Sequence, residues 1–191
     1  MVLRILKLLF TVAMFAVPAA AAEMPQPSGA VVLTVTGQIG VSNRAGEAQF
    51  DMAMLHHLAE HSFETTTIWT EGPQRFTGVQ LSELVRALNV SEGSIRATAI
   101  NDYSIEIPLE DAVDGGALVA YARNGAPMSV RENGPLWIVY PYDINPAYQS
   151  EIVYSRSIWQ LDRLEFVTPQ APKAHGPNQL WTCRTGQRCA L

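Results

Sequence analysis

Residues 78–90, "GVQLSELVRALNV", are where apolar positions recur most clearly with helical spacing: Leu81, Leu84, Val85 and Leu88 fall at i, i+3, i+4 and i+7. Most of the chain around that stretch has the other period. "AVVLTVTGQIG" (30–40) reads as a first strand, with Val31, Leu33 and Val35 on one face. Strand patterns follow "FETTTIW" (63–69) at 95–100, 103–108, 117–122 and 136–141, separated by turn pairs such as Asn101-Asp102 and Asn124-Gly125. "SIWQLDRLEFV" (157–167) reads as the last strand. "FDMAMLHHLAE" (50–60) reads as a second, short helix that Asp51 is placed to cap. Several strands with two short helices predict an α+β fold, with a mostly antiparallel sheet or barrel.

The ends read differently. Arg4 and Lys7, an apolar run from Leu8 to Val17 and the small residues Ala20-Ala21-Ala22 have the order of a secretory signal peptide. The expected organisation is a leader at 1–22, a flexible Pro-rich segment at 23–29, one domain at 30–167 and a tail at 168–191. The chain is therefore expected in the periplasm or secreted, with no membrane span once the leader is removed. Loss of Arg4 and Lys7 takes the formal charge from −5 to −7, which excludes a nucleic-acid binder dependent on clustered cations. Cys183 and Cys189 both lie in the tail, and in an exported chain such a pair is expected to form a disulfide.

Familiar catalytic patterns are missing. There is no Gly-x-Ser-x-Gly elbow, no Gly-rich phosphate loop and no Cys-x-x-Cys. His57 and His61 are four apart and could share a helix face, but the residue after His57 is Leu58, so this is not a His-Glu-x-x-His site. Two stretches are dense in Asn, Asp, Arg, Tyr and Trp beside strands, 99–112 and 121–166. Polar and aromatic groups in loops at strand ends are good places for a site.

Seven segments in order, "FDMAMLHHL", "FETTTIW", "FTGVQLSELV", "NDYSIEIPL", "RNGAPM", "NGPLWIVYP" and "SRSIWQL", resemble the molybdopterin-binding domain of the sulfite-oxidase type. Within it they are most similar to small exported molybdopterin-dependent oxidoreductases. The resemblance covers about residues 31–167. It implies the mixed α+β sulfite-oxidase fold, mostly β with short helices. By position in the family rhythm it implies cofactor contacts at Thr66, Asn101, Asp102, Tyr103, Asn133, Trp137, Tyr154, Ser155 and Arg156.

Two departures bear on chemistry. Counting back from Gly78, the family's molybdenum-ligating cysteine falls at Thr66. Molybdenum takes a soft thiolate there, whereas a threonine hydroxyl is a hard donor and far less acidic. The arginine that the family sets against the pterin phosphate is replaced by Trp137, which removes a charge-assisted, bidentate bond. No bound cofactor is therefore expected, molybdopterin being the group if the family function is retained. The expectation is an exported, cofactor-degenerate module that binds a small molecule or a membrane-associated partner protein. Its pocket would hold Thr66, Asn101, Tyr103, Asn133, Trp137 and Arg156. The alternative is a working oxidoreductase with an oxygen ligand from Thr66 or Asp102, or a thiol from the tail.

Overall fold

The computed structural model describes residues 24–168. The expected leader and the Cys183–Cys189 pair lie outside them.

Ten strands form two sheets. The first has the order β2-β1-β10-β5-β6, from β1 (Val31–Gly37), β2 (Ala48–Asp51), β5 (Ser94–Ala99), β6 (Ser104–Pro108) and β10 (Leu161–Val167). Its one parallel pair is β1 with β10, where Val35 stands beside Leu164. The second sheet runs β3-β4-β7-β8, from β3 (Glu60–Thr65), β4 (Gln74–Gln80), β7 (Leu118–Arg123) and β8 (Ala126–Pro127). In it β9 (Trp137–Val139) also pairs with β7. Segment 158–161 joins the two sheets. Ile138 N donates to Ile158 O, Leu161 N to Leu136 O, and Trp137 bridges Trp159.

Alternation decides the facing, as the sequence predicts, except at Val31, which is exposed because the β1–β2 register slips between Val31 and Leu33. Leu33 and Val35 are fully buried, and so are Ile95 and Ala97 on β5 and Leu164 on β10. The predicted helix is shorter than its pattern. α2 spans Leu81–Ala87, and Gly78 to Gln80 belong to β4. The strand runs straight into the helix with no intervening turn, so the sequence carries no break there. Seven residues are too few for a helix to persist alone. Leu81, Leu84 and Leu88 are fully buried, each worth about 2 kcal/mol, and they hold it. Gly78 is needed for close approach: a Cβ there would lie 2.1 Å from Val119 O on the paired strand.

α1 spans Met52–His57, with Asp51 as its cap. His61 therefore sits on β3, and the shared helix face expected for His57 and His61 does not form. A third helix, α3 (Glu151–Arg156), was not expected. It places Tyr154, Ser155 and Arg156 on about a turn and a half of helix. Segment 24–29, expected to be flexible, is instead tied down. Ser28 N and Gly29 N donate to Asp51 Oδ2 at 2.7 Å, and Asn43 Nδ2 donates to Pro25 O at 2.8 Å.

Candidate functional site

The three threonines after β3 have three different tasks. Thr65, the last strand residue, is fully buried, and its Oγ1 accepts a bond from Asp143 N at 3.2 Å. Thr66 is exposed, and both its N and its Oγ1 donate to the Asp143 carboxylate, at 2.6 Å each. These bonds hold the Asp143 carboxyl below the usual carboxylate range. Thr67 Oγ1 accepts from Trp69 N at 3.1 Å and shares a hydrogen with Thr70 Oγ1 at 2.8 Å. The loop is thus latched at 143 and turned at 67, which presents Ile68 and Trp69 outward.

Those two side chains form one wall of a groove of about 470 Å³. Tyr154 and Ser155 of α3 and the neighbouring Trp159 form another, and Asn101 and Tyr103, from the turn between β5 and β6, close a third side. The rings meet edge to face. Trp69 lies 6.1 Å from Tyr154 at 89° and 5.5 Å from Trp159 at 76°. That arrangement puts ring edges against ring faces, the favoured geometry. Ile68 is 62% exposed, Tyr103 53% and Trp159 38%, so the groove opens to solvent. Its lining includes no Arg, Lys, Asp or Glu.

Of the residues singled out in the sequence, the groove gathers Asn101, Tyr103, Tyr154 and Ser155. The pocket expected from six residues therefore needs correcting at four of them. Thr66 lies just before the groove wall, engaged with Asp143. Trp137 is wholly buried, so it lines no pocket. It packs edge-on against Phe76, Trp69 and Trp159 and donates Nε1–H to Ser157 O, forming the floor beneath the groove. Asn133 has a left-handed backbone, with φ of 75°, and its carbonyl accepts from Gln160 N. Arg156 leaves the groove altogether. Its guanidinium reaches Asp111 at 3.0 Å, where Tyr140 OH also donates at 2.7 Å. Burial and that carboxylate push the Tyr140 phenol far above its ordinary range. Asp102, a further candidate, is paired with Arg163 at 2.6 Å in solvent.

Ile68, Trp69 and Trp159 are among the groove residues that the sequence reading passed over, with Ala99, Ser157 and Ile158. In the sequence Trp69 and Trp159 read as parts of strands, whereas β3 ends at Thr65 and β10 starts at Leu161, which leaves both indoles in the flanking loops.

Among the described residues, those around Thr66 and the groove do not fit a thiolate-bound molybdopterin. The described residues contain no cysteine. The hydroxyl at Thr66 already donates to a carboxylate, which would also repel an anionic cofactor. The groove wall offers no cation for a phosphate. Among the described residues no cluster of three His, Cys, Asp or Glu side chains could hold a metal ion.

Comparison with known proteins agrees with the architecture. The chain is similar to the sulfane dehydrogenase SoxCD from Paracoccus pantotrophus, with a TM-score of 0.53 and 17% identity over 71% of this chain. It spans 37% of the length of that chain, so the likeness is one of fold. Among curated proteins none matches. The family model for the oxidoreductase molybdopterin binding domain matches residues 33–147, a span that includes Thr66, Asn101, Tyr103 and Trp137 and ends before α3. The chain therefore belongs to the oxidoreductase molybdopterin-binding domain family.

Proposed function

We propose that this member has given up molybdenum redox chemistry and works as an exported ligand-binding module. Its ligand is a small, uncharged, ring-bearing molecule held in the groove between Trp69, Tyr154 and Trp159. The observation that carries this reading is the lining itself: aromatic walls, a few polar groups from Asn101, Tyr103 and Ser155, and no charged side chain. Small-molecule sites have this composition and this size. An ionised group sunk into such a lining would lose its hydration with no partner to replace it. Ring faces, by contrast, stack on a flat apolar ligand at little entropic cost. Thr66 supports the same reading, because the place of the family's thiolate is taken by a residue that serves to latch the wall.

The leader in the sequence supports an exported location, where the module would sense or deliver its ligand. Two measurements test the reading together. The full chain is expressed with its own leader, and the purified protein is assayed for molybdenum and pterin; a near-stoichiometric content of either overturns it. Tryptophan fluorescence is then titrated with 2-naphthol, a neutral ring, and with 2-naphthalenesulfonate, its anionic counterpart. Saturable binding of the neutral probe, at least tenfold tighter than the sulfonate, is expected. Equal or reversed affinities overturn the ligand class.

A further inference from the structure

A second groove lies away from the first, at α1, and its donors have a different chemistry. It has a volume of about 390 Å³, and Met24, Met54 and His57 all line it, with Phe50 and Leu58 as apolar neighbours and Gln26, Ser28 and Asp51 as polar ones. Two thioethers and an imidazole form a soft, uncharged donor set. Soft thioether sulfur selects soft, low-charge cations such as Cu(I), and hard cations prefer oxygen. We propose that Met24, Met54 and His57 form a binding site for a soft monovalent cation of the Cu(I) or Ag(I) type.

Three features support the site beyond the residue types. First, the imidazole is set up to coordinate. His57 Nδ1 lies 2.6 Å from Ala53 O. A carbonyl only accepts, so Nδ1 carries the hydrogen and Nε2 keeps its lone pair for a metal. Ligating histidines are commonly oriented by such a bond from the second nitrogen to a carbonyl. Second, Met54 and His57 are three apart on α1 and so lie on one face, while Leu55 points into the core and His56 stacks on Tyr121 with ring centroids 4.2 Å apart. Third, Met24 is brought to that face by a built contact. Asp51 Oδ1 caps the helix through Met54 N at 2.8 Å, and its Oδ2 receives Ser28 N and Gly29 N. One carboxylate thus fixes both the helix and the segment that carries Met24. Asp51 lines the groove as well. Its four hydrogen bonds engage its oxygens and keep it ionised, so it stands beside the three donors as a negative charge that favours a cation without ligating it.

The test uses the full chain with any free tail thiols alkylated, so that cysteine cannot bind the probe. Ag(I), which undergoes no redox change on binding, is titrated by calorimetry and by carbon–proton NMR of methionine methyl groups. One equivalent is expected to bind, with shifts confined to the Met24 and Met54 methyls. Met54→Leu preserves side-chain volume and helix propensity, so it is expected to stay folded and to weaken Ag(I) binding at least tenfold. His57→Gln should weaken it similarly, while Zn(II) at equal concentration should not displace Ag(I). Absence of saturable binding, or affinity unchanged in both variants, overturns the proposal. Neither result touches the aromatic groove, whose probe binding is read separately.

Discussion

The two sides of α3 are close in sequence and opposite in chemistry. Tyr154 and Ser155 face an aromatic groove that no charged side chain lines. Arg156, the next residue, turns into a half-buried network with Asp111 and Tyr140. One residue of rotation along a helix is about 100°, enough to separate a cation from a groove it adjoins. A basic residue near a site in sequence is therefore no sign that the site is cationic. Here the cation braces the helix, and the helix presents the rings.

The comparison can be broken hardest from below. Trp137 supports the groove floor and is fully buried. Trp137→Ala should cost about 3–5 kcal/mol in urea denaturation and abolish probe binding in whatever remains folded. The bracing side is next. Asp111→Ala leaves Arg156 and Tyr140 without their shared acceptor and should cost about 1–3 kcal/mol. Affinity for 2-naphthol should stay within about twofold, because neither residue lines the groove; a tenfold loss there would erase the distinction between the two sides. Trp159→Ala should show the reverse pattern in affinity. It is 38% exposed, so stability should fall by about 1–2 kcal/mol, less than for Trp137→Ala, while fluorescence-detected affinity should drop about tenfold.

Smaller effects come from carboxylates. Hydrogen bonds from Met54 N, Gly29 N and Ser28 hold Asp51 at about 2, and those from Thr66 hold Asp143 below its usual range. A carboxyl depressed by folding adds stability above its unfolded value near 4 and loses it as pH falls through the folded value. The denaturation midpoint should thus decline between pH 4 and pH 2. The decline should be shallower in Asp51→Asn, and an identical slope in that variant would remove Asp51 from the account. The smallest effect belongs to Asp102. Its ion pair with Arg163 is solvent-exposed on both sides, so Arg163→Ala should change stability by less than about 0.5 kcal/mol and leave probe affinity unaltered.

The fold was largely legible from periodicity. Leu33 and Val35, the Asp51 cap and the Leu81–Leu84–Leu88 stripe all report burial directly. α3 escaped because six residues with one buried side chain, Val153, cannot display a helical repeat. Its readable signal was the start: Ser150 accepts from Val153 N, and Glu151 sits in the first turn. The site was legible in part. Position in the family order located the turn at Asn101 and Tyr103 and the Tyr154–Ser155 pair. It misplaced Trp137, because a residue standing in for a ligand was taken to keep the ligand's direction. An arginine seeks water or an anion, whereas an indole on β9, with neighbours on both faces, goes inward. Side-chain direction depends on what each residue type can bury, and that is not contained in its position along the chain.

The latch at Thr66 sets what a cysteine placed at that position would meet. Thr66→Cys is a single substitution, yet it would remove a hydroxyl that holds Asp143 and place the sulfur beside that carboxylate's negative charge. Trp69 and Trp159 would still wall the groove, and Arg156 would still be committed to Asp111. A thiol beside an anion is held in its protonated form, so the latch disfavours the thiolate that a soft metal would bind.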